Sequence, residues 1–229
     1  MPSRRLPSQP DDRSHPWLRR AAGMQLVAGV QRMVIPELTR VFGQYGLYLR
    51  PSPEFGPDLS GNMLGHVVSL YRHEGDLSGQ LRCRDGELPI SNGSLSLVYS
   101  LFMLESSSDP EALMQEMARV LKPEGVALVI SLNPVSLARL RWWSPGSRAS
   151  PISYIQRLAA YAGLDEIRCR HLGPFWPSAE AAFSSEGGDS WIDGFRVASL
   201  MVFRRREAGL TPLRRAHAPV SLRPGMSAG

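Results

Sequence analysis

The clearest feature of the chain is a change in the period of its apolar positions. Ser94–Leu101, SLSLVYSL, begins in alternation and then becomes continuously apolar, the pattern of a strand covered by helices on both faces. Leu113, Met117, Val120 and Leu121 then recur at helical spacing, which gives a helix one apolar face. Ser108 or Asp109 can cap that helix, and Pro110 fits its first turn, where a missing N–H costs nothing. Ser108 with Glu111 also has capping-box spacing. Pro123 and Gly125 then turn the chain into a second apolar strand, Val126–Leu132. The sequence strand, helix, strand predicts a right-handed crossover within a parallel sheet.

Weaker patterns flank this unit. Leu26, Val27, Val30, Val34 and Leu38 predict a helix or helix pair reaching Phe42, across Pro36. Leu47 and Leu49 predict a short strand, and Pro51, Pro53, Gly56, Pro57 and Gly61 an irregular connection after it. His66–Arg72 and Leu81–Gly86 are the second and third strand candidates. Ile152–Ala162 reads as a short helix ending at Gly163, followed by strands at Leu164–His171 and Val197–Arg204 that form an antiparallel edge. The expected class is α/β with a central, mostly parallel sheet. Residues 1–16 read as a flexible lead, 17–206 as one domain and 207–229 as a flexible basic tail.

Composition narrows the partners. Hydrophobic residues make up 43% and charged residues 21% of the 229 positions, which fits a globular domain and excludes a disordered chain. No run approaches the roughly eighteen apolar residues of a membrane span, and the first arginines lack an apolar stretch behind them. A cytoplasmic protein is the expectation. Cys83 and Cys169 stand far apart, each in an alternating basic stretch, so each is expected on one face of a strand. Neither shares metal-ligand spacing with a histidine. The net charge of +5 gathers toward the ends, as at Arg4, Arg5, Arg204, Arg205 and Arg206. No zinc spacing, RNP-type strand or basic recognition helix accompanies it, so no dedicated nucleic-acid-binding motif is expected. A homodimer or a protein partner stays open.

Five pieces of residues 87–143 carry a resemblance: Leu88-Pro89-Ile90, Leu95–Val98, Met103-Leu104-Glu105, Asp109-Pro110 and Arg119–Gly125. In this order and spacing they resemble class I S-adenosylmethionine-dependent methyltransferases, particularly the ubiquinone/menaquinone-biosynthesis-like group. The resemblance implies a Rossmann-like class I methyltransferase fold, with S-adenosylmethionine as cofactor and a small-molecule methyl acceptor. Cofactors in such folds lie across the carboxyl ends of the strands.

What the resemblance implies for individual residues is uneven. A glycine-rich turn is expected after the first strand, but Leu49–Gly56 reads LRPSPEFG and places Arg50 and Ser52 there. An acid is expected at the end of the second strand, where Arg72 or His73 stands and Glu74 lies just beyond. Asp85 matches the family's acid near the adenine amino group, with Gly86 easing the backbone around the ring. Ser100 and Leu101 match the lining of the methionine end, and Glu105 matches a recurrent glutamate. Ser96 replaces an aspartate that is mostly structural in the family. For the acceptor, Asn133, Trp142, His171 and Trp176 are the candidates, on or beyond the later strands. Methyl transfer needs alignment of acceptor and sulfonium more than a protein nucleophile, so no catalytic residue is assigned. Two readings follow: a methyltransferase with an unusual first turn, or a methyltransferase-like scaffold or regulator that has lost cofactor binding.

Overall fold

The computed structural model describes residues 21–137, 149–175 and 194–206. Its elements run α1 (Ala21–Leu38), β1 (Phe42–Arg50), β2 (Met63–His73), β3 (Asp76–Gly79), β4 (Leu95–Leu101), α2 (Pro110–Val120), β5 (Leu121–Leu132), α3 (Ile152–Tyr161), β6 (Leu164–Leu172) and β7 (Ala198–Arg205). Seven strands form one sheet in the order β3-β2-β1-β4-β5-β7-β6. β2, β1, β4 and β5 are mutually parallel. β7 pairs antiparallel with both β5 and β6, and β3 pairs antiparallel with β2.

The sheet separates two cores. On one face α1 lays Leu26, Val27, Val30, Val34 and Leu38 over Tyr48, Tyr99, Leu101 and Ile130. Phe55 and Leu59, from the connection after β1, join that core. On the other face α2 and α3 cover Leu47, Leu49, Val98, Val129 and Met201. β4 is buried along its whole length, as its apolar run predicts. Of the two candidate caps, Asp109 is the one used: its Oδ1 accepts from Ala112 N at 2.9 Å.

Several local expectations need correction. α1 ends at Leu38, and Phe42 opens β1; the nine-residue β1 pairs with β2 from Phe42 onward and with β4 from Gly46, so strand pairing outweighs helical spacing there. Leu81–Gly86 forms no strand. β3 is Asp76–Gly79 instead, joined to β2 through Glu74 and Gly75 at φ 52° and 89°. Positive φ at both central residues is the requirement of a tight hairpin turn. Cys83 therefore lies outside the strands and makes one bridge to Leu77, whereas Cys169 lies on β6. β5 begins at Leu121, and its Pro123–Gly125 corner falls inside the strand, with a register shift against β4. Gly125 is needed there, because a Cβ would stand 2.8 Å from Lys122 O. No helix among the described residues is long and apolar enough to cross a membrane.

Candidate functional site

The carboxyl ends of β1, β2, β4 and β5 share one edge, the usual ligand position in an open α/β sheet. At β1 this edge carries Arg50, which is 6% exposed. Its Nε donates to Ser69 Oγ at 3.0 Å, and its Nη1 donates to Pro53 O at 3.0 Å and to Phe55 O. The guanidinium also lies 5.2 Å from the Tyr71 ring centroid. Burial lowers its pKa from the ordinary value, with Tyr48 and Tyr71 opposing. The proline-rich connection is thus wrapped around the strand's own terminal side chain. Ser52, also buried, accepts a long 3.4 Å bond from Glu54 N.

At β2 the edge carries a buried ion pair. Arg72 Nη1 lies 2.5 Å from Asp85 Oδ1, and both side chains are 4% exposed. The same Nη1 donates to Gly75 O at 3.0 Å. Asp85 Oδ2 accepts from Ser107 Oγ at 2.5 Å, and Ser107 Oγ accepts from Asp109 N at 3.1 Å. One cluster therefore ties the β2–β3 hairpin, the segment after β3 and the N-cap of α2. Arg72 Nε and Nη2 are buried without a hydrogen-bond partner.

These residues do not fit S-adenosylmethionine held in the family's manner. The resemblance implies a carboxylate at the end of β2 that accepts from the ribose hydroxyls, whereas the Arg72 guanidinium found there offers only donors. The buried carboxylate beside it, Asp85, already accepts from Arg72 through one oxygen and from Ser107 through the other.

The other half of the edge is differently built. Glu105 follows β4 and is 1% exposed. Its Oε1 accepts from Ser131 Oγ at 2.7 Å and from Leu132 N at 2.6 Å, on β5. Its Oε2 has no partner and is buried. Burial pushes the carboxyl up to about 7, against the pull of the Ser131 and Leu132 hydrogen bonds. Ser131 is in register with Ser199 on β7, and Ser199 with His171 on β6. His171 Nδ1 lies 3.2 Å from Ser199 Oγ. A polar line thus crosses the ends of β5, β7 and β6 from Glu105 to His171. Ser100 Oγ, on β4, is buried without a partner. Leu101 is fully buried, and Phe102 after it has φ 50°, a left-handed conformation that is an outlier for a bulky residue.

Asn133 is used by its own turn and by the segment that precedes β7. Its Nδ2 donates to Gly194 O at 2.6 Å and to Arg196 O at 2.8 Å, and its Oδ1 accepts from Val135 N at 3.2 Å. Glu74 sits in the exposed hairpin turn, 3.9 Å from His73 Nε2. Gly86 is exposed beside α2, where a Cβ would meet Ala112 Cβ at 3.3 Å. Trp142 and Trp176 lie outside the described residues. Burial pushes both cysteine thiols up to about 11, so neither supplies a ready thiolate. No cluster of three or more metal-ligating side chains occurs among the described residues.

Sequence reasoning overlooked Ser107, Ser131 and Ser199. Each is a small hydroxyl whose role depends on a partner brought from another element. The only available signal was the run Ser106–Ser108 before Asp109, which is unusually polar for a segment between a buried strand and a helix.

The sheet order, the parallel centre and the antiparallel β7 define the class I S-adenosylmethionine-dependent methyltransferase fold. Residues 38–129 match the model of the family described as Methyltransferase domain. A S-adenosylmethionine-dependent methyltransferase from Aquifex aeolicus superposes with a TM-score of 0.56 at 14% identity, over 86% of this chain and 98% of that one. A chain from the complex of the Haloferax volcanii Trm112 methyltransferase activator with a methyltransferase gives 0.56 at 15%, over 88% and 99%. At these identities the likeness is one of fold. The malonyl-[acyl-carrier protein] O-methyltransferase of Laribacter hongkongensis is 39% identical over 62 residues, which are 27% of this chain and 21% of that protein. The biotin biosynthesis bifunctional protein BioHC of Cellvibrio japonicus is 29% identical over 131 residues, 54% of this chain and 25% of that protein. The matches thus span only a fifth to a quarter of the length of these curated relatives.

Proposed function

We propose that residues 17–206 keep the class I methyltransferase fold as a binding scaffold and do not carry S-adenosylmethionine on β1 and β2. The observation behind this reading is the Arg72–Asp85–Ser107 cluster: a guanidinium stands at the end of β2, and both oxygens of the neighbouring buried carboxylate are engaged. Arg50 adds a second guanidinium at the end of β1. S-adenosylmethionine carries a positive sulfonium, so a cationic edge in place of an acidic one also opposes it electrostatically. The test is calorimetric titration with S-adenosylmethionine and S-adenosylhomocysteine. No saturable heat and no thermal stabilisation up to about 1 mM, a binding free energy weaker than about −4 kcal/mol, is the expected result. One-site binding at micromolar concentration overturns the reading.

Glu105 favours a second reading, methyl transfer to a small acceptor. A buried carboxyl titrating at about 7 is suited to proton transfer at neutral pH, and His171 stands at the other end of the same polar line. The name of the Laribacter hongkongensis relative points that reading toward a carboxylate acceptor and O-methylation. Saturable cofactor binding in the titration above, followed by transfer of labelled methyl to such an acceptor, would favour it over the scaffold.

A further inference from the structure

The unused face of Arg72 has a defined chemistry. Nη1 is taken by Asp85 and Gly75 O, while Nε and Nη2 are buried with no partner. These two nitrogens form one edge of the planar guanidinium, the fork that takes two oxygens of a carboxylate or phosphate in parallel. Leaving such donors unmet inside a protein is costly, so a buried open fork calls for an acceptor. The nearby carboxylates do not supply one: Asp85 is held by Nη1 and Ser107, and Asp76 lies 3.6 Å from Arg82.

The segment after β3 is mostly exposed around its buried anchor, Asp85. Residues 80–87 are held to β3 by the Leu77–Cys83 bridge and the Arg82–Asp76 ion pair, and Gln80, Leu81, Arg82, Arg84, Gly86 and Glu87 are exposed. Arg84 adds an exposed positive charge to this segment, while Arg82 faces Asp76 at 3.6 Å. Gly75, whose carbonyl accepts from Arg72, sits in the exposed hairpin turn at φ 89°.

We propose that Arg72 anchors a small-oxyanion site at the carboxyl end of β2, where phosphate or carboxylate oxygens take the Nε–Nη2 edge beneath the 80–87 segment. The proposal rests on the reading that S-adenosylmethionine does not occupy this edge. It inverts the recognition logic of the position: a guanidinium that seeks acceptors replaces an acid that accepts from a ribose.

The test follows the Arg72 Nε–H resonance by proton–nitrogen NMR, assigned by its loss in Arg72→Lys. Inorganic phosphate and malonate are titrated separately, with sodium chloride at matched ionic strength as control, and affinities are measured in parallel by calorimetry. The expected result is a saturable shift with phosphate or malonate and none with chloride. The anion that binds more tightly identifies the ligand as phosphate- or carboxylate-bearing. Arg72→Lys keeps the charge but loses the fork, and it is expected to weaken binding about tenfold or more. Arg84→Gln removes only an exposed charge and is expected to change affinity by about threefold or less. A resonance that moves with neither anion, a shift matched by chloride, or an Arg72→Lys variant that binds like the wild type overturns the site. A parallel S-adenosylmethionine titration separates the two levels. Absence of both anion and cofactor binding removes the oxyanion site alone, whereas cofactor binding that moves the Arg72 signal removes the scaffold reading as well.

Discussion

Substitution of Asp85 by Asn probes the cluster that closes the β2 end. The change keeps size and most hydrogen-bonding capacity but removes the charge that faces Arg72 at 2.5 Å. Because both side chains are 4% exposed, solvent cannot replace the lost partner. Breaking a buried pair from one side costs about 3–5 kcal/mol. With a urea dependence of about 2 kcal/mol per molar for a domain of this size, the midpoint should fall by about 1.5–2.5 M. The double variant Asp85→Leu with Arg72→Met removes both charges together, and its midpoint should lie within about 0.5 M of wild type, because the desolvation cost disappears with the attraction. Equilibrium unfolding followed by tryptophan fluorescence and circular dichroism measures both. A single variant that loses under about 1 kcal/mol, or a double variant less stable than the single, would show that the cluster is neither dry nor coupled and would refute the reasoning.

Glu105→Gln should remove a pH dependence. The folded carboxyl titrates at about 7, above the ordinary value, so the folded state binds more protons between the two values. Stability is therefore full below the ordinary value and falls as pH rises through about 7, by about 3 kcal/mol in total; urea midpoints from pH 4 to pH 8 should decline in the wild type and stay flat in the variant. Tyr99→Phe should stabilise the protein by about 1 kcal/mol, since the Tyr99 hydroxyl is buried without a partner. Tyr48→Phe, by contrast, loses the 2.7 Å bond from Gln31 and should cost about 1 kcal/mol in the same assay. Arg119 donates to Leu88 O at 2.8 Å, to Ile90 O at 3.0 Å and to Glu116, so Arg119→Ala should cost about 2–3 kcal/mol and raise hydrogen exchange across residues 88–94.

The central βαβ unit was legible because its signals agree. Apolar runs marked β4 and β5, an apolar stripe marked α2, and Asp109-Pro110 marked the helix start. The ARVLKPEG turn carries part of the resemblance and is also a structural junction: Arg119 holds the 88–92 segment, and Arg205 donates to the carbonyls of Arg119 and Leu121. The beginning of β1 was not legible, because Phe42–Gly46 is exposed or glycine-rich and its pairing with β2 makes it a strand, β4 joining only from Gly46. Leu81–Gly86 alternates like a strand, yet the Asp85 side chain is drawn inward by Arg72. Arg72 was visible in the sequence as a cation where an acid was expected. Its pairing with Asp85 was not, since thirteen residues and a hairpin separate them. The polar line from Glu105 to His171 was hidden for the same reason, as it exists only in the register of β5, β7 and β6.

The most direct test of the closed β1–β2 edge is a crystal structure grown in millimolar S-adenosylhomocysteine. The expected structure keeps Arg72 on Asp85 and Arg50 on the Pro53 and Phe55 carbonyls, with no nucleoside at the ends of β1 and β2. A nucleoside seated there, with the Arg72–Asp85 pair opened and Asp85 turned to the adenine, would contradict it and restore the methyltransferase reading.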